Sequence, residues 1–180
     1  MTVLAQVDAR GLGTVLIRLC KAALVAAMGL MMCLVALGNV VDYDSNWQFV
    51  RHVMSMDATF PTSTQHWRAI TSEPVQRLAY LAIIAAEAAS AAVLVLAAAR
   101  LFARVRSAGR FERAVPLSAA GLTLVMLIYG AGFLGIGGEW FEMWQAGAWN
   151  GQTAAARFFT LAAAVLVVML VGRPAEADAG

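Results

Sequence analysis

Residues 77–100 read RLAYLAIIAAEAASAAVLVLAAAR: an apolar run closed by an arginine at each end, with one carboxyl, Glu87, near the middle. At 1.5 Å per residue a helix of that length reaches about 30 Å, the thickness of a bilayer's hydrocarbon core. Three further runs flank it. Ala22–Val41 and Ala114–Gly138 carry no charge over a comparable length, and Phe158–Gly172 is a shorter run of the same kind. That last run is too short to span until it is begun at Thr153, which leaves Arg157 near the end, where its long side chain snorkels outward. Four spans follow, at about 19–41, 75–101, 115–138 and 153–172. They form a single membrane domain, 15–172, between an N-terminal tail, 1–14, and a C-terminal tail, 173–180.

Composition agrees. Of 180 residues, 61% are hydrophobic and 13% charged, and the mean hydropathy is +0.73. Average soluble chains hold about 45–50% and about 25%. A net charge of +2 gives no footing for nucleic acid, and two cysteines make neither a disulfide scaffold nor a zinc finger. The expected fold is all-α: a polytopic four-transmembrane-helix bundle, with a short amphipathic interfacial helix in the first outer loop.

Four spans place both termini and the second-to-third connection on one side. Nine basic residues fall there (Arg10, Arg18, Lys21, Arg100, Arg104, Arg106, Arg110, Arg113 and Arg173), against Arg51, Arg68, Arg77 and Arg157 on the other. Positive residues favour the cytoplasm, so the expected location is a bacterial inner membrane, multi-pass, with both termini cytoplasmic. The outer loops, 42–74 and 139–152, carry six acids. Ala36-Leu37-Gly38 resembles a signal-peptidase site, but the apolar run before it is long for a signal sequence. Ser72-Glu73-Pro74 reads as a helix start, with a capping serine, an acid in the first turn and a proline that forfeits no hydrogen bond. The glycines of 135–138 read as the end of the third span.

All five tryptophans, Trp47, Trp67, Trp140, Trp144 and Trp149, fall on the outer side. Indole favours the headgroup region, and five on one leaflet predict an ordered outer cap. Within it, Ser45–Met56 gathers Trp47, Phe49, Val50, Val53, Met54 and Met56 on one face of a helical wheel. Gln48, Arg51, His52 and Ser55 gather opposite. Asp44 or Ser45 is placed to cap this helix, which is expected to fold over the tops of the spans.

Glu87 is the main candidate for chemistry. Twelve residues past Val75 it lies about 18 Å along its helix, where a carboxyl is costly and must face the bundle, protonated or paired. Tyr80 and Ser90 share its face, among alanines that permit close helix approach. Proton coupling, contact with a polar ligand, and structural bonding to a neighbouring helix all remain open. His52, Met54, Met56 and His66 suggest copper by residue type, but the methionines belong to the opposite face and no metal site is expected. Both histidines lie outside, which excludes a bis-histidine haem in the bundle. Cys20 and Cys33 are about 20 Å apart on one helix and cannot bridge. Glu139 or Glu142 is within reach of Arg157 for an outer ion pair.

Several longer strings resemble one bacterial family. They are residues 39–46 (NVVDYDSN), 49–57 (FVRHVMSMD), 67–70 (WRAI), 137–141 (GGEWF), 149–152 (WNGQ) and 157–159 (RFF). The family is that of predicted small integral membrane proteins called domain of unknown function 2165. The resemblance implies a four-span inner-membrane protein with no established activity. Its strings lie mostly on the outer face, where Asp42, Tyr43, Asn46, His52, Trp67, Glu139, Trp140, Trp144, Trp149, Asn150 and Arg157 make a candidate binding surface.

No Ser/His/Asp or Cys/His constellation and no phosphate-binding loop is present, so the expectation is a non-enzyme. The leading reading is an accessory, assembly or scaffold component of a membrane complex. Its partners would be the lipid bilayer and either other membrane-protein subunits or further copies of itself. The alternative is a small proton-coupled transporter using Glu87. No cofactor is required, although Tyr43, Glu139 and Trp140 could line a site for a bound quinone or lipid.

Overall fold

A backbone in hydrocarbon must satisfy its own hydrogen bonds, and the chain does so with helices. The computed structural model describes residues 2–171, and the expected C-terminal tail, 173–180, lies outside them. Helix α1 runs Thr2–Val41, α2 Tyr43–Ser55, α3 Glu73–Arg104, α4 Ala108–Glu112, α5 Val115–Met126 and α6 Gln152–Leu170. The expected N-terminal tail is thus continuous with the first helix. Beyond Met126 the chain continues as a π-helical segment, Leu127–Trp140, before short 3-10 turns lead into α6. No strand occurs among the described residues. Four stretches are long and apolar enough to cross a membrane: Leu12–Val41, Glu73–Arg104, Ala108–Trp140 and Gly147–Leu170.

The spans pack through small residues. A Cβ added at Gly29 of α1 would stand 3.2 Å from the backbone nitrogen of Val95 in α3, so these helices meet almost backbone to backbone. Around that contact Val25, Met28 and Met32 join Leu94, Leu101, Leu122, Val125, Val165 and Met169 in the main core. At the end opposite α2, Arg18 donates to the carbonyl of Val105 (3.2 Å) and Lys21 to that of Val171 (2.9 Å). Two cations thus satisfy carbonyls left over at the ends of α3 and α6, and complement the negative ends of those helices.

A second core lies under α2, where Trp47, Val50, Val53, Met54 and Met56 pack with Tyr80, Phe141 and Met143. The apolar face of α2 is thereby spent on the protein itself. This helix begins two residues before the expected Ser45, at the end of α1. Its capping position is Asp42, whose side chain makes no capping bond; Asn46 Nδ2 donates to the Asp42 carbonyl instead (2.9 Å). Met56 closes it in the left-handed region (φ 53°). Ser72 likewise occupies the capping position of α3 without a side-chain bond there, while Glu73 pairs with Arg77 one turn on.

The glycines of 135–138 do not stop the third span. Phe141 N–H bonds back to the carbonyl of Ile136, five residues earlier, and the wide coil persists to Trp140. Away from water an unwound glycine run would strand its peptide groups, so they remain paired.

Candidate functional site

Glu87 faces inward and is 1% exposed. Asn39 Nδ2, on α1, donates to its Oε2 at 2.6 Å, and the Tyr129 hydroxyl, on the π-helical segment, donates to its Oε1 at 3.2 Å. One carboxyl therefore ties three spans together. The Tyr80 hydroxyl bonds the backbone carbonyl of Asn39 (2.8 Å), near the end of α1 where that group has few intrahelical partners. Ser90 donates to the backbone carbonyl of Glu87 (2.8 Å). Tyr80 and Ser90 thus stand on the face of Glu87, but neither hydrogen-bonds its carboxyl.

The position of Glu87 reads differently along its own helix and along α1. Asn39, its partner, lies close to the Val41 end of α1, whereas α3 runs on from Glu87 as far as Arg104. At 1.5 Å per residue Glu87 is about 21 Å from Glu73 and about 25 Å from Arg104, near the middle of α3, while relative to α1 it sits toward the α2 end. The two measures differ because α3 begins beyond the end of α1, beside α2.

A chamber of about 230 Å³ surrounds the carboxyl, walled by Phe49, Tyr80, Tyr129, Phe133 and Phe158 and reached by Asn46 of α2. The Tyr129 ring stacks on Phe158 with centroids 4.4 Å apart and lies 5.3 Å from Phe133. Beside it is an apolar cleft of about 390 Å³ between α3 and the π-helical segment, roofed by α2, Phe141 and Met143. Chamber and cleft share Phe49, Val50, Ile83 and Phe133 as walls. The π-helical backbone contributes here. Gly132 lines the cleft, and a Cβ there would meet nothing closer than 4.0 Å.

The cap is cross-linked by polar bonds between its two loops. Phe60 N–H donates to Gln145 Oε1 (2.9 Å) and Ser63 to Glu142 (2.6 Å). The Arg68 guanidinium lies 4.9 Å from the ring centre of Trp140 and 5.4 Å from that of Trp67, within cation–π range. It also donates to the Trp140 carbonyl (3.4 Å). Phe60 meets Trp144 edge to face, and His52 stacks on Trp149 (4.3 Å) while pairing with Asp57 (2.8 Å). Tyr43 packs on Tyr80, with ring centres 4.9 Å apart. Asp42, Glu139 and Asn150 are exposed, with Asn150 Oδ1 accepting from the Gln152 N–H at the start of α6.

The proposed ion pair to Arg157 does not form. Ser63 claims Glu142, Glu139 is exposed elsewhere on the surface, and Arg157 lies exposed over the Phe158 ring. Sequence reasoning missed Asn39 and Tyr129 as partners of Glu87. The available signal was that each neighbouring span carries one strong side-chain hydrogen-bonding group toward its outer half. Among the described residues no group of three or more His, Cys, Asp or Glu is placed to hold a metal ion.

Four apolar spanning helices around a buried polar cluster, under a folded cap, define an all-helical integral membrane protein. The chain belongs to the family of predicted small integral membrane proteins called domain of unknown function 2165, whose match covers residues 17–171. Comparison with curated proteins and with solved structures gives no match.

Proposed function

We propose that the protein is a non-enzymatic accessory component of an inner-membrane complex, with both termini cytoplasmic and the cap docking a membrane-protein partner. The observation that carries this reading is the exposed aromatic surface on a braced scaffold. Trp67 is 70% exposed, Phe60 52%, Trp144 50% and Trp140 46%, yet the loops that carry the first three and the end of the π-helical segment that carries Trp140 are held by the Gln145, Glu142 and Arg68 contacts. Aromatic and arginine side chains dominate binding hot spots, and anchors already fixed in place lose little entropy on association.

The test is purification from native membranes in mild detergent, with a photo-crosslinking residue at position 67 or 144. A stoichiometric membrane-protein adduct from both positions supports docking. Adducts with lipid or with this chain alone refute it. A second reading, a proton-coupled transporter, is favoured by the chamber beside Glu87. It predicts that Glu87→Gln abolishes transport while insertion and abundance stay unchanged.

A further inference from the structure

We infer that the Glu87 chamber and its adjoining cleft bind a lipophilic organic cation: a protonated or quaternary amine carried on an apolar body. The carboxyl is buried, and among the described residues no arginine, lysine or histidine lies within ion-pair distance of it. A buried carboxyl without a counter-charge is held neutral until a cation joins it, and a cationic head would supply the charge that the chain withholds. Asn39 and Tyr129 each give one hydrogen bond to the carboxyl, and an ionised carboxylate offers about four lone-pair sites in all. What remains accepts from a protonated amine, and it attracts a quaternary one by charge alone.

The walls point the same way. Five aromatic residues line the chamber, and ring faces attract cations. Next to the chamber the 390 Å³ cleft is lined by Val53, Ile83, Ala86, Ile128 and Ile136 and has the size of an ordinary ligand pocket, typically about 300–1,000 Å³. Phe49 and Phe133, stacked with centroids 6.4 Å apart, stand on the boundary between the two spaces. A head by Glu87 and a body in the cleft would run along the wall that these rings share with Val50 and Ile83. Ala82 and Ile136 leave the side of the cleft exposed, which gives entry from the bilayer. The chamber lies toward the α2 end of α1, and Asn46 of α2 reaches it. A bilayer phospholipid would bring its phosphate beside the carboxyl and be repelled.

Binding of this kind requires neither transport nor docking at the cap, so cross-linking results there leave it untouched. The experiment uses the full chain in phosphatidylcholine nanodiscs and radiolabelled dodecyltrimethylammonium, with empty nanodiscs subtracted and dodecanol as the uncharged competitor. Saturable binding near one per chain is expected, with at least tenfold weaker affinity in Glu87→Gln and no competition by dodecanol. Gly132→Leu fills the cleft while leaving Glu87, Asn39 and Tyr129 in place, and is also expected to weaken binding at least tenfold. Affinity within threefold of wild type in folded Glu87→Gln, or equal competition by dodecanol, overturns the inference. So does unchanged binding in Gly132→Leu, a readout that stands even if the Glu87 variant fails to fold.

Discussion

The two hydrogen bonds to Glu87 differ in length, and that difference sets a measurable order. Asn39 Nδ2 reaches Oε2 at 2.6 Å, short for an N–H···O bond, while the Tyr129 hydroxyl stands 3.2 Å from Oε1, long for an O–H···O bond. Hydrogen bonds to charged groups contribute about 1.5–3 kcal/mol in soluble proteins, but interhelical bonds in bilayers couple by about 0.6 kcal/mol on average and about 1.7 at most. The bilayer values govern here, because a helix displaced within lipid finds substitute partners. A double-mutant cycle between Asn39→Ala and Glu87→Ala should therefore give about 1.5 kcal/mol. The cycle between Tyr129→Phe and Glu87→Ala should give about 0.5 kcal/mol. Both cycles are clean in one respect. Asn39→Ala keeps the backbone carbonyl that Tyr80 bonds, and Tyr129→Phe keeps the ring stacked on Phe158. Reversible unfolding by dodecyl sulfate in mixed micelles, followed by far-ultraviolet circular dichroism, reads all four corners of each cycle. A Tyr129 coupling equal to or larger than that of Asn39 would refute the geometry, and an Asn39 coupling below about 0.3 kcal/mol would show that the pair does not form. Glu87→Gln should cost under about 1 kcal/mol, because its carbonyl still accepts from Asn39 and its amide can donate to the Tyr129 oxygen.

Close packing gives a second expectation. A Cβ at Gly121 would stand 2.8 Å from Leu94 Cδ2, a fully buried side chain, whereas one at Gly38 meets nothing within 4 Å. Gly121→Ala should thus lose about 1–2 kcal/mol after its helix-propensity gain, and Gly38→Ala should gain up to about 1 kcal/mol, in the same unfolding assay. Met56→Gly sets two effects against each other: relief of a left-handed residue, about 1–2 kcal/mol, against loss of a side chain 1% exposed, about 2–5 kcal/mol. Packing should win, and a variant more stable than wild type would show that the cap core is loosely filled. Orientation is checked by cysteine labelling with Cys20 and Cys33 replaced. Thr64→Cys should react with an impermeant maleimide on intact cells and Gly109→Cys only after permeabilisation, and the reverse pattern would invert the topology.

Architecture was legible because charge is sparse. Lys21 and Asp42, or Arg77 and Arg100, bracket helices whose interiors could not be anything but lipid-facing or packed. The wheel on residues 45–56 also worked, since Trp47, Val50, Val53 and Met54 are the residues that α2 buries. Pairings across loops were not legible. Ser63 with Glu142, or Phe60 N–H with Gln145, joins positions far apart in sequence through two irregular loops, and no periodicity encodes such a meeting. The π-helical segment was hidden for a related reason. Glycine runs signal a helix end in water, and the rule inverts where peptide groups have no solvent to turn to.

The placement of Glu87 shows how one hidden length changes a functional reading. Measured from its own helix start, the carboxyl falls at mid-span, where a lone acid suggests a step in a relay across the membrane. Measured from its partner Asn39, it falls just below the end of α1, under α2 and beside a cleft open at its side. The difference is the first two turns of α3, Glu73–Tyr80, which rise past α1 so that Tyr80 can support Tyr43 and Trp47. From that position a proton would have about 25 Å more to travel to the far end of α3, through a core where Ser90 and Ser118, both bonded to backbone carbonyls, are the buried polar side chains among the described residues. The carboxyl is well placed to receive something from the leaflet on the α2 side. The apolar core beneath it therefore weighs against a transmembrane relay through this chain alone, and in favour of a site that holds its ligand where the ligand enters.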